Sequence, residues 1–302
     1  LRWGLLFLLS FSLCVACSDA GDSGSPPGGP FDSADTPGDV VEISAGEADA
    51  TLVYANNQDS ITFPIATFTS TDDVTDDNTA TITTNFFISE TEVTYELWSE
   101  VKVWAEANGY SFANDGSMGS EGESDSAMTD QHPVTKVSWR DAVIWCNALS
   151  EMTGAEIVYV NKNDNSFLRS SADDAYGAGI NVEDVVISEA ETRVRKGYRL
   201  PSSLEWEYAA RYRGDDTTNV VTGEIGGVDF DAMSIKWTKG NSASHATTYY
   251  NDNTNGSGEP AKSANDAVAV YKSYWDGSTW VTRPEDSGHT EAVRSLSLNA
   301  LG

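Results

Sequence analysis

The run Gly197-Tyr198-Arg199-Leu200-Pro201-Ser202-Ser203-Leu204-Glu205-Trp206-Glu207-Tyr208-Ala209-Ala210-Arg211 constrains the fold more than any other stretch of the chain. Its first half reads as a short strand that ends at Pro201, because proline cannot donate to a ladder and suits the entry to a helix. Ser202 stands three residues before Glu205, the spacing of a capping box. Trp206, Ala209 and Ala210 follow at helical spacing, which predicts a helix start with these residues on its buried face.

Two further helices are written in the same way. Thr94 can cap a helix whose Leu97, Trp98, Val101, Trp104 and Ala105 share one face, with Gly109 ending it. Ser138 caps a second helix, with Asp141 in the box position, Ala142, Trp145, Cys146 and Leu149 on the buried face, and Gly154 as the stop. On that face Cys146 reads as a small core hydrophobe rather than a nucleophile. Leu52-Val53-Tyr54, Ile61 to Thr67 and Thr81 to Ile88 read as strands, as do Val268 to Tyr271 and Thr279 to Thr282. Asn161 to Arg195 is polar and irregular and reads as an insertion. Three helices, short strands and long loops match neither a doubly wound sheet nor a bundle.

The Arg199–Arg211 run resembles the Arg-Leu-Pro-Thr-x-x-Glu-Trp-Glu-Tyr-Ala-Ala-Arg signature of the formylglycine-generating enzyme family, the sulfatase-modifying factor domains, with Ser202 where Thr is usual. Ser89-Glu90-Thr91-Glu92-Val93-Thr94 resembles the family's early Glu-Val-Thr entry. His132-Pro133-Val134-Thr135-Lys136-Val137-Ser138-Trp139-Arg140-Asp141-Ala142 resembles its Pro-Val-x-x-Val-Ser-Trp-x-Asp-Ala step. The three stand in the family's order, and the resemblance runs from about Phe86 onward. It implies an α+β fold: an irregular mixed α/β domain, low in regular secondary structure and related to C-type lectin-like folds.

At the N-terminus, Arg2 and the apolar run Trp3 to Val15 suit a secretory signal better than a membrane-spanning helix. Leu13-Cys14-Val15-Ala16-Cys17 resembles a bacterial lipobox, which makes Cys17 the lipidation site; an ordinary signal peptide is the alternative. Ser18 to Gly38 is Gly, Ser, Pro and Asp, with almost nothing to bury, and reads as a tether. The expected organisation is a signal at 1–16, a lipidated tether at 17–48 and the folded domain at 49–302. The expected location is the bacterial cell envelope, at the outer membrane or cell surface. The net charge of −29 argues against a nucleic-acid partner, since a polyanion needs neutralising Lys and Arg.

The resemblance implies oxidation of a sulfatase cysteine to formylglycine with oxygen and copper, the metal held by two thiolates near the domain's C-terminal end. Soft thiolates suit Cu(I). Cys14, Cys17 and Cys146 are the chain's three cysteines, and none lies in its C-terminal half. The expectation is therefore no catalytic residue and no oxidation by this chain as given. Ser297-Leu298-Asn299-Ala300-Leu301-Gly302 resembles the family's Pro-Asn-x-x-Gly step, which implies a chain that ends ahead of the catalytic segment. Such a cut is expected to leave Trp98, Trp104, Trp145 and Trp206 with uncovered apolar surface. His132, His245 and His289 show no ligand spacing. Asn251, Asp252 and Asp266 are oxygen donors suited to calcium, with turn formation the plainer reading. The main reading is a membrane-anchored lipoprotein with a sulfatase-modifying-factor-like domain. The alternative is a surface-displayed module that binds a protein or small ligand.

Overall fold

The computed structural model describes residues 12–16, 40–45, 48–54, 61–65, 78–82, 86–119, 128–161, 163–172, 197–239, 273–275 and 280–282. In chain order these form β1 (Ser12–Ala16), β2 (Val40–Ala45), β3 (Ala48–Tyr54), β4 (Ile61–Ile65), β5 (Asn78–Ile82), β6 (Phe86–Glu92), α1 (Tyr95–Ala107), β7 (Ser117–Met118), β8 (Val134–Thr135), α2 (Trp139–Thr153) and β9 (Tyr198–Arg199). They continue with α3 (Ser203–Arg211), β10 (Tyr212–Gly214), β11 (Glu224–Ile225), β12 (Val228–Asp229), β13 (Lys236–Trp237), β14 (Ser273–Trp275) and β15 (Trp280–Thr282). The class is the expected irregular α+β, with few helices and mostly very short strands. No helix among the described residues is long and apolar enough to cross a membrane.

The chain divides into two compact units, the first from 1–59, 84–120 and 127–202, the second from 60–83, 121–126 and 203–302. In the first unit an antiparallel sheet runs in the order β2-β3-β6-β1-β9. Cys14 lies opposite Ile88 on one side and Arg199 on the other. Two of these strands fall in ranges read from the sequence as signal and tether. In β2, Val40, Val41 and Ile43 supply the β-branched residues that favour a strand. The second unit holds the two-stranded pairs β4-β5, β10-β13, β11-β12 and β14-β15. The expected single strand from Thr81 to Ile88 is instead two strands in separate units, β5 and β6. No Gly or Pro at 83–85 marks that break.

Helices α1 and α2 form as their caps dictate. The Thr94 side chain accepts from Leu97 N–H, and Ser138 and Asp141 make the reciprocal capping box. Gly154 ends α2 in the left-handed conformation, where a Cβ is disfavoured. The rings of Trp98 and Trp145 stack at 5.7 Å between centroids and 7° between planes. Trp145 Nε1 donates to the Trp98 carbonyl at 3.1 Å, and Trp98 Nε1 donates to the Asp115 carbonyl at 2.9 Å. Both rings are fully buried and Trp104 is partly buried against the same core, so the expectation of uncovered faces fails for these helices. They cover each other's apolar stripes.

In the second unit α3 shows a different face from the one expected. Glu205, Tyr208 and Arg211 are buried, Ala209 and Ala210 are intermediate, and Trp206 is 52% exposed. Successive helical residues are separated by about 100°, so burying Glu205 turns Trp206 away. The unit's core is aromatic: Phe63, Tyr208, Tyr212 and Trp237 lie with ring centroids 5.2–5.8 Å apart in mostly edge-on or tilted pairs.

Asp141 is fully buried and fixes the entry to α2. It accepts from Ser138 N at 2.8 Å, Ser138 Oγ at 2.7 Å, Asn114 Nδ2 at 2.7 Å and Ala113 N at 3.1 Å. Burial alone would raise its carboxyl pKa, but hydrogen bonds from Ser171, Ser138 and Asn114 outweigh that and hold it below the usual value. A folded pKa below the unfolded one adds stability that is present above roughly pH 4 and lost as pH falls through the folded value. Asp141→Asn puts an amide among groups that donate, and should cost roughly 1–3 kcal/mol at pH 7. Urea melts at pH 7 and in acid check this: the gap between variant and parent should shrink in acid, and an equal gap at both pH values would contradict it.

Candidate functional site

The signature run contributes to both units, and each part has a structural task. In the first unit, a Cβ on Gly197 would lie 1.9 Å from the Glu156 carbonyl oxygen and 2.8 Å from Val158 Cγ2. Only glycine fits so close to another backbone. Beyond it, Tyr198 N–H donates to Ser150 Oγ at 2.8 Å, and Leu200 N–H donates to the Tyr159 hydroxyl at 3.0 Å. Tyr198 and Arg199 are buried. In the second unit Arg211 is buried with its guanidinium in use. Nε and Nη2 donate to the Thr238 carbonyl at 3.0 and 2.8 Å, and Nη1 donates to the Pro64 carbonyl and to Glu207. Arg211 thereby joins α3 to β4 and to the end of β13.

Cys146 is fully buried on α2. Burial pushes its thiol far up the scale, against a smaller opposite pull from the Arg199 charge. A thiol so placed stays protonated at neutral pH and is neither a nucleophile nor a ready metal ligand. The core-hydrophobe reading is correct. His132 is buried in a turn, its Nδ1 accepting from Thr129 N–H at 3.1 Å. The lipidation candidate Cys17 and the calcium candidates Asn251, Asp252 and Asp266 lie outside the described residues, as do His245 and His289. Among the described residues no group of three or more His, Cys, Asp or Glu could hold a metal ion. Copper held by a thiolate pair does not fit the one cysteine whose side chain is described, since Cys146 is single, protonated and enclosed by core. No step through copper follows from these residues.

Sequence reasoning missed Asn147. It is fully buried on α2, and its amide nitrogen donates to the Tyr159 and Leu168 carbonyls at 2.8 and 3.0 Å, while its oxygen accepts from Tyr159 N–H at 2.8 Å. A polar residue between Cys146 and Ala148, within the helix's run of small and apolar residues from Ala142 to Leu149, is the available signal. Near the surface, Tyr110 donates to Glu151 at 2.7 Å and Arg169 lies 4.6 Å over the Tyr110 ring. The Arg169 hydrogen bond holds Glu151 below the usual carboxylate range.

These contacts make the signature a frame for packing. Gly197→Ala should therefore destabilise the chain by roughly 1–3 kcal/mol or more, the range for overpacking, because the clash is with backbone and not with a movable side chain. The urea midpoint checks this, and a midpoint equal to the parent's would show that the segment is not packed this tightly.

The sequence profile of the Sulfatase-modifying factor enzyme 1-like domain matches residues 32–302. A chaperone protein, LppX, from Paenibacillus barcinonensis is 29% identical over 135 residues, 42% of this chain and 36% of that protein. The chain thus spans well under half the length of this curated relative. The crystal structure of CarF is similar at 27% identity over 56% of this chain and 68% of its own, with a TM-score of 0.33. Variable protein 1 of Treponema denticola is similar at 22% identity over 59% and 58%, with a TM-score of 0.35. With nearly its whole length matched, the chain belongs to the FGE-sulfatase family of sulfatase-modifying factor enzyme 1-like domains.

Proposed function

We propose that residues 1–302 form a lipid-anchored member of this family that displays its domain at the bacterial cell envelope and does not oxidise cysteine on its own. The carrying observation is the state of Cys146: buried in the core, with burial raising its thiol pKa far above neutrality. The family's oxidation needs two accessible thiolates, and the only other cysteines in this sequence are Cys14 and Cys17 at the N-terminus. The lipobox-like Leu13–Cys17 run supports the anchor. In that reading cleavage ahead of Cys17 also removes β1, and β6 and β9 lose the strand that pairs with both.

The alternative of a ligand-binding module has one favourable observation. Leu204 and Trp206, on the first turn of α3, are 39% and 52% exposed. Large apolar side chains held in water are common at binding surfaces.

Both parts of the proposal are open to measurement. Fatty-acid label should enter the parent protein and not Cys17→Ser, and the variant should leave the membrane fraction. Label in the variant, or none in the parent, would overturn the anchor. Incubated with Cu(I), oxygen and a cysteine-containing sulfatase peptide, the chain should yield no aldehyde, and Cys146 should resist thiol reagents until urea is added. Aldehyde formation would overturn the non-oxidising reading.

A further inference from the structure

We propose that the lane between β6 and β9 is an acceptor site for one extended, uncharged segment of a partner polypeptide, opened when the chain is cut ahead of Cys17. The inference rests on the anchored reading above, in which that cut removes β1. β1 runs antiparallel to both neighbours. Ser12, Cys14, Val15 and Ala16 lie opposite Glu92, Ile88, Phe87 and Phe86 on one side, and Cys14 and Val15 lie opposite Arg199 and Tyr198 on the other. Its sequence, Ser-Leu-Cys-Val-Ala, holds no charged residue, Gly or Pro. Taking one strand from between two leaves a gap of about two strand spacings, roughly 9.5 Å, with main-chain groups facing it from both walls.

Both walls are held from behind, so the gap does not close by itself. β6 pairs on its far side with β3, Val53 opposite Ile88 and Tyr54 opposite Phe87. Around β9, Gly197 lies hard against the Glu156 carbonyl, Tyr198 N–H donates to Ser150 Oγ at 2.8 Å, and Leu200 N–H donates to the Tyr159 hydroxyl at 3.0 Å. Sliding β9 by about 4.8 Å onto β6 would break these contacts. With β1 seated, Phe86, Phe87, Ile88, Tyr198 and Arg199 are each at most 5% exposed. An empty lane therefore puts water beside core side chains and strips both walls of ladder partners, and an added strand reverses both costs. The Ser18–Gly38 run is a poor replacement, because Pro26, Pro27, Pro30 and Pro37 lack the N–H that a ladder needs. A second copy cut in the same way brings no β1. The occupant that fits is a segment of another protein, uncharged like β1 and free of Pro.

The test uses the full chain with a protease site placed in the Ser18–Gly38 run, so that β1 is severed after folding. The probe is a dye-labelled peptide of residues 10–17, followed by fluorescence anisotropy in reducing buffer. The severed chain should exchange its β1 for the peptide and bind it saturably, while the uncut chain, with the lane filled in cis, should not. The same peptide carrying Val15→Pro, which lacks one ladder N–H, should bind about tenfold more weakly or not at all. The variant lies in the peptide, so folding of the chain is not at issue. No binding to the severed chain, equal binding to the uncut chain, indifference to Val15→Pro, or pairing of severed chains with one another in place of the peptide would each overturn the acceptor site. The mass of the protein taken from membranes separates this from failure of the anchored reading. A chain beginning at Cys17 whose severed form takes no peptide sinks the acceptor site alone, whereas a native chain that keeps residues 12–16 sinks both.

Discussion

A helix enclosed by protein on almost every side must find partners for its own polar side chains, and α2 does so by binding segments far apart in the chain. Asp141, Asn147, Ser150 and Thr153 are all buried on it. Asp141 takes the backbone of Ala113 and the side chain of Asn114. Asn147 holds Tyr159 and Leu168, and Ser150 receives Tyr198 N–H. Thr153 returns its hydroxyl to the Leu149 carbonyl within the helix. Each bond carries a modest net gain, while the penalty for leaving a buried group unpaired is larger. The irregular segments around α2 are thus fixed in place by side-chain bonds, which short strands with few ladder bonds could not do unaided.

The same logic explains why the family signature survives as a recognisable run. Gly197 lets the chain pass against the Glu156 carbonyl, and Arg211 ties three pieces of the second unit together. Neither role requires chemistry on a substrate. A chain of this family can keep these motifs as a scaffold while its thiol is committed to the core.

Much of the frame was legible because it is local. Thr94, Ser138, Asp141 and Gly154 are cap residues whose meaning depends on their nearest neighbours, and the apolar spacing of Leu97, Trp98, Val101 and Trp145 follows helix geometry. Trp206 is a bulky aromatic at a helical spacing that reads as core, whereas the charged Glu205 and Arg211 are the buried residues. Asn147 was illegible because its significance lies in which distant groups meet it, and a single sequence does not encode that in any fixed spacing. The division of Thr81 to Ile88 between two sheets was equally hidden, since no breaker residue marks it. The proposed anchor Cys17 and calcium residues Asn251, Asp252 and Asp266 lie outside the described residues and rest on sequence alone.

Native-state hydrogen exchange of the full chain tests most directly whether α2 side chains organise the first unit. The amides of Tyr159, Tyr198 and Leu200 are held by Asn147, Ser150 and the Tyr159 hydroxyl, not by long ladders or helices. They should exchange as slowly as the interior of α2, through its global opening. In Asn147→Ala the Tyr159 amide should lose protection first. Exchange of these three amides at the rate of free loops, with α2 still protected, would contradict the account.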